Sequence, residues 1–167
     1  MASEPSHPEV PSGRSSPGDR VKPFAIQKVL NRVVRGLLRA PLLSQLVGRG
    51  LITLYVVGRK SGKRYTIPMA YLPYEGVLLL GSGFAWGKNL RTGEPLEVRY
   101  KGRRRVTDVR VLTDEAAVTE HYAVIARNNP GFAKINKIGR DEDGTPNPDD
   151  LRAAWAAGAR VFLLTLR

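Results

Sequence analysis

The chain has 167 residues, enough for one domain with a tail at roughly 100–200 residues per domain and for a core that needs no covalent staples. It has no cysteine and only two histidines, His7 and His121, which excludes disulfides and thiolate metal sites and argues against a histidine zinc site. Lys and Arg number 27 against 15 Asp and Glu, a formal net charge of +12, which favours an anionic partner without choosing among nucleic acid, anionic lipid and small molecule.

Residues 1–22 are rich in Pro, Ser and Gly with almost no large apolar side chain. They read as a disordered tail without the apolar core of a signal peptide. No run approaches the ~20 apolar residues of a membrane span, so the expected location is cytoplasmic. Residues 23–48 form a basic amphipathic helical segment. In "FAIQKVLNRVVRGLLRA" (24–40), Lys28, Arg32, Arg35 and Arg39 fall on one stripe, opposite Ile26, Val29, Leu30, Val33, Val34 and Leu37. Pro41 ends or kinks that helix. Residues 24–40 either pack on the domain or lie peripherally on the anionic inner face of the cell membrane.

Residues 49–167 are expected to form the folded domain. Six strand-like runs are read at 51–57, 65–72, 77–82, 95–100, 104–112 and 160–166, with Val106, Val109 and Val111 carrying the apolar alternation of the fifth. "PYEG" (73–76) and "KGR" (101–103) read as turns, and a short helical turn falls around Trp86 to Arg91. A helix capped by Thr113 runs to about Asn129. An amphipathic piece, "FAKINKIG", follows, and Asp149 or Asp150 is expected to cap "LRAAWAAG". Short connections between the early strands exclude a doubly wound sheet. The fold class is α+β, mainly antiparallel β: a barrel with outer helices.

Two loops carry the chemistry. "GRKSGKR" (58–64) sets Arg59, Lys60, Lys63 and Arg64 around Ser61, between Gly58 and Gly62. It is not a Walker loop, because the spacing is one short, Arg64 stands where Ser or Thr belongs, and a strand follows. It is either a solvated hairpin turn or an anion nest built of backbone N–H groups and cations. "GSGFAWGKNL" (81–90) combines glycines with Ser82, Trp86, Lys88 and Asn89. Its Trp either stacks on a flat ring or caps the barrel. Both loops at one barrel end would make a cofactor mouth. "YKGRRRV" (100–106) interleaves aromatic and basic residues as some nucleic-acid binders do; a solvated hairpin is the plainer reading, and nucleic acid is not the expected partner.

In combination these pieces resemble the deazaflavin-dependent nitroreductase family, split β-barrels that bind coenzyme F420. The resemblance is carried by Gly58-Arg59-Lys60-Ser61-Gly62, by Pro68 in the second strand, by Trp86 with Asn89 and Leu90, and by "NPGFAKINKIGR". It runs from about residue 50 to the end. Tyr65 stands where the family often has Arg, Gly87 follows the Trp, and the 141–158 region is longer than in compact members. The resemblance implies a split β-barrel and hydride transfer from reduced F420, with FMN the less favoured cofactor. The acceptor would be a hydrophobic quinone, enone, nitro compound or lipid. Arg59, Lys60 and Ser61, with Gly62, Arg64 and Tyr65 beside them, would meet the phosphate. Pro68, Met69 and Ala70 would line the ring, and Ser82, Trp86, Lys88 and Asn89 would close over it. Solvent, Ser82 or Tyr122 would supply the proton that finishes the reduction. A non-catalytic deazaflavin, flavin or lipid carrier is the alternative. Monomer and homodimer both stay open.

Overall fold

The computed structural model describes residues 50–167. The expected tail (1–22) and basic helical segment (23–48) lie outside the described residues. Seven strands and four helical segments follow in chain order. They are β1 (Leu51–Val57), β2 (Arg64–Ala70), β3 (Leu72–Tyr74), β4 (Val77–Ser82), a 3₁₀ helix (Ala85–Asn89), β5 (Pro95–Tyr100), β6 (Arg103–Leu112), α1 (Glu115–Asn128), α2 (Pro130–Ile135), α3 (Pro148–Ala156) and β7 (Arg160–Leu166).

The strands form one antiparallel sheet in the order β2-β1-β5-β6-β7-β4-β3. Its two edge strands, β2 and β3, are separated in sequence by Tyr71 alone. Laid flat, seven strands about 4.8 Å apart would hold those edges about 29 Å from each other. A one-residue link is possible only because the sheet curls until its edges meet. This is the expected α+β split barrel. The second predicted strand, read as one run to residue 72, is the element that divides: it pairs with β1 as far as Ala70 and with β4 from Leu72. Pro73 and Tyr74 therefore belong to β3, and the turn shrinks to Glu75 and Gly76, both at positive φ. Pro68 is tolerated inside β2 because an edge strand has a side that needs no ladder donor.

Strand alternation separates two cores. Leu54, Val56, Leu78, Leu80, Leu96, Val98, Phe162 and Leu164 point inside the barrel. Leu79 and Val161, the alternate residues of β4 and β7, join Val118, Tyr122, Ile125, Ala126 and Leu151 under the helices. The inner row of β6 contains Thr107 and Val109, both buried; Val106 is 40% exposed on the other face, against the expected alternation. Thr107 donates its hydroxyl to the Leu96 carbonyl at 3.1 Å, so the barrel interior carries no unpaired polar group there.

Two helix caps differ from expectation by one to three residues. Asp114, not Thr113, caps α1 by accepting from the Ala117 N–H at 2.9 Å. Asn147, not Asp149 or Asp150, caps α3, accepting from both of their N–H groups at 2.9 and 3.0 Å. In each case the residue with the free side-chain oxygen at the start of the turn wins over its neighbours. Among the described residues no helix is long and apolar enough to cross a membrane.

Candidate functional site

The basic loop is a closed turn. Gly58 N–H donates to the Lys63 carbonyl at 2.8 Å, and Gly62 N–H to the Gly58 carbonyl at 2.7 Å. Gly62 sits at φ +64°, where a side chain is strained. A Cβ on Gly58 would lie 2.6 Å from Ser61 Oγ, so both glycines follow from the turn itself. Ser61 Oγ accepts from the Lys63 N–H at 3.3 Å and lies 3.4 Å from the Tyr65 hydroxyl. The N–H groups of Lys60 and Ser61 meet no acceptor among the described residues. Two free N–H groups beside exposed Lys60, Lys63 and Arg64 form a cationic concavity of the nest type.

Arg59 is not free to join them. Its N–H donates to Asn89 Oδ1 at 3.1 Å, its Nε to the Asn89 carbonyl at 3.1 Å, and its terminal nitrogen pairs with Glu94. Asn89 in turn donates to the Trp86 carbonyl at 2.9 Å. Arg59 is thus a staple between the loop and the 3₁₀ helix, with its Nε and one terminal nitrogen engaged there. Its partner Glu94 lies 35 residues away, which is why local sequence gave no sign of it. The staple joins the two loops.

Trp86 is buried. It is 7% exposed and stacks on Phe162 with ring centroids 5.4 Å apart at 27°. It closes the barrel end from inside, the second of the two readings open to it, and is no exposed platform. Lys88 is exposed.

A cavity of about 510 Å³ opens where the sheet edges meet. Its strand wall runs from Pro68 through Met69, Ala70, Tyr71 and Leu72 to Pro73; its floor is Leu79, Gly81 and Ser82, with Gly83 and Phe84 beyond. Its helical wall comes from the α1–α2 elbow: Ile125, Asn128, Asn129, Phe132, Ile135 and Asn136. Of the predicted site residues, Pro68, Met69, Ala70 and Ser82 line it. Arg59, Lys60, Ser61, Gly62, Arg64, Tyr65, Trp86, Lys88 and Asn89 do not. From Pro68 to Arg64 the strand rises about 13 Å, so the loop stands apart from the cavity along β2. Segment 82–90 makes the same journey, from the cavity floor at Ser82 to the Arg59 staple at Asn89. The helical wall was missed from the sequence. Its only trace there is the cluster of asparagines around the helix break, "NNPGFAKIN".

The two candidate proton donors part company. Ser82 is 3% exposed and its Oγ accepts from the Phe84 N–H at 3.1 Å. Its own proton meets no acceptor among the described residues and remains available to a ligand. Tyr122 has no exposed surface and its hydroxyl meets no partner within hydrogen-bond geometry. Burial drives its acidity far below that of a free phenol; the nearby Arg160 backbone offsets this only in part. It lies behind Gly81 and Phe132 and outside the cavity wall. Tyr122 is a core residue, and its candidacy is withdrawn on geometry.

In the basic hairpin, Lys101 and Gly102 make a two-residue turn at positive φ. Arg99 pairs with Arg104, and Tyr100 with Arg103, so Arg103 and Arg105 alternate to the face opposite Arg99 and Arg104. Arg104 pairs with Glu97 at 2.7 Å and lies over the Tyr55 ring at 5.0 Å. Its cations do not form one stripe.

A flat, neutral ring suits the cavity: the volume falls within the about 300–1,000 Å³ of ligand pockets, the described walls are mostly apolar with a few amides, and a buried hydroxyl offers a proton. The two regions could hold the two ends of one ligand, an uncharged ring against Pro68, Met69, Ala70 and Ser82 and an anionic group against Lys60, Ser61, Lys63 and Arg64.

No family model matches the sequence, and no curated protein matches it. Among solved structures, similarity is found to an F420-H2 dependent reductase, 18% identical, over 70% of this chain and 94% of that chain, at a TM-score of 0.44. A chain described as a domain-swapped dimer is 14% identical over 84% and 96%, also at 0.44. A candidate 5-nitroimidazole antibiotic resistance protein from Bacteroides thetaiotaomicron is 11% identical over 75% and 77%, at 0.41. At these scores the likenesses are weak and are set aside.

Proposed function

We propose that the protein is a reductase that uses reduced coenzyme F420 to deliver a hydride to a hydrophobic unsaturated acceptor. The observation that carries this is the pairing of a mostly apolar cavity, with no charged side chain among its described lining residues, and a cationic turn at the other end of the same strand. When bound, the reduced deazaflavin supplies the hydride, so the chain needs to supply little chemistry of its own. Pro68, Met69 and Ala70 hold the ring by its face and edge. The apolar walls exclude water from the reacting region. The Ser82 hydroxyl donates its free proton as a hydrogen bond to an oxygen that gains charge. Lys60, Lys63 and Arg64 screen the phosphate and carboxylates of the tail, and the Arg59 staple keeps their turn beside segment 82–90.

A carrier that holds the ring without turnover is the second reading. It is favoured by the lack, among the described lining residues, of any group that titrates near neutrality.

The test is a fluorescence titration with F420, beside FMN, at low and moderate salt. Tight, salt-sensitive binding of the deazaflavin that weakens on Lys60→Ala supports the proposal. Binding of neither cofactor refutes it. Oxidation of the reduced cofactor by quinone, enone or nitro acceptors then separates reductase from carrier.

A further inference from the structure

Six large apolar side chains are exposed among the described residues, and three of them line the cavity: Leu51 at 40%, Phe84 at 44% and Ile135 at 44%. They come from the start of β1, the segment after β4 and the end of α2. A single exposed apolar residue needs no explanation. Three that separate elements bring to the rim of one cavity mark a surface that another group covers.

The chain itself enters the fold at that rim. Gly50 and Leu51 both line the cavity. The Gly50 carbonyl accepts at 3.3 Å from the N–H of Tyr71, the residue that links the two sheet edges. Gly50 lies at φ +53°, and a Cβ there would stand 2.5 Å from Tyr71 Cζ, so the entry point is held close against the cavity wall. The run before Arg49 reads "PLLSQLVG" (41–48). At helical spacing, Leu42, Leu43, Leu46 and Val47 fall within about 140° of one another, with Ser44 and Gln45 opposite. Leu46 stands four residues before Gly50 and Leu43 seven, so even an extended chain holds them within about 14 and 25 Å of it. Tethering at that range gives the apolar run a high effective concentration at the rim.

We propose that residues 41–48 dock on this rim, setting the apolar side of the segment against Leu51, Phe84 and Ile135 and supplying the wall that closes the cavity to water. The partner of the exposed rim is the chain's own preceding segment, whatever the cavity binds.

The chain has no cysteine, so paired cysteines report proximity without background. Leu43→Cys is combined with Ile135→Cys, with Phe84→Cys, or with Val106→Cys, a position 40% exposed on the outer face of the sheet. The dilute full chain is treated with a short bismaleimide and run on a denaturing gel. The two rim pairs are expected to cross-link within one chain at least tenfold faster than the Val106 pair. Equal rates for the three pairs overturn the proposal. So does a covalent dimer as the main product, which would give the rim to a second copy. A second measurement titrates the uncharged dye Nile red into the full chain and into its Leu43→Ser, Leu46→Ser variant. The variant should bind the dye at least fivefold more weakly. Unchanged binding overturns the proposal, and so does tighter binding, because the segment would then plug the cavity and not wall it. Circular dichroism checks that each variant is folded, and either measurement decides the matter if the variants of the other do not fold.

Discussion

Gly81→Ala tests how closely the core and the cavity are coupled. Gly81 is buried in β4 and forms part of the cavity floor. A Cβ there would lie 2.9 Å from Phe132 Cζ and 2.9 Å from Tyr122 Cε2, about 0.5 Å inside ordinary van der Waals contact. The two rings already meet edge to face with centroids 4.9 Å apart, so they cannot both retreat into each other. Tyr122 is enclosed on every side. Phe132 borders the cavity and is the ring that can move, into the space a ligand would use. Overpacking of this kind costs about 1–3 kcal/mol, which for a domain of this size lowers the melting temperature by roughly 2–8 °C per kcal/mol. The expected result is a lower urea midpoint together with at least a fivefold loss of quinone binding. Gly83→Ala is the stability control, since its Cβ would find nothing closer than 4.0 Å; it should leave the urea midpoint alone. A Gly81→Ala protein as stable as the parent, with unchanged ligand affinity, would refute the packing argument.

Tyr122→Phe removes a buried hydroxyl without a partner. Such a group costs about 1–3 kcal/mol, so urea denaturation should show the variant equally or more stable, with turnover unchanged; a fall in turnover alone would restore Tyr122 as a proton donor. Glu94→Gln weakens the hold on Arg59. Because the pair is exposed, global stability should move by less than about 1 kcal/mol, while amide exchange across 58–63 should quicken; unchanged exchange would show that Arg59 is no staple. The Arg167 guanidinium, by hydrogen bonding and charge, holds Asp108 below its ordinary range. A carboxyl depressed in the folded state stabilises above its unfolded pKa and loses that stability as pH falls through the folded one. Asp108→Asn should therefore lower the neutral plateau of the urea midpoint slightly and flatten its acid limb below about pH 4, so that the two proteins converge at low pH.

What could be read from the sequence was local. The spans of β1, β4, β5 and β7 follow from short apolar runs bounded by Gly, Pro and charge. The split of the second strand at Tyr71 could not be read, because it is set by which partner each half finds after the sheet has closed. Arg59 looked like a ligand because cations in a glycine turn do; its engagement with Glu94 and Asn89 is a tertiary fact. Trp86 sits in a glycine-rich loop that suggests exposure, yet Phe162, far along the chain, supplies its packing surface. Half of the cavity comes from the α1–α2 elbow, which is remote in sequence from the motif that pointed to a cofactor.

The position of β7 has a consequence for the timing of synthesis. It lies between β6 and β4, although every other strand precedes it in the chain. Until it has emerged from the ribosome, β2-β1-β5-β6 and β4-β3 are two separate pieces of sheet, and their pairing with β7 is the long-range step that folding must wait for. Leu79 to Ser82 hold the cavity floor only because β4 is held by Val161 to Leu164. A nascent chain stalled before Arg160 should therefore display the basic turn and no ligand cavity. Protection of a quinone probe would then report arrival of the last strand, giving a readout of barrel closure during translation.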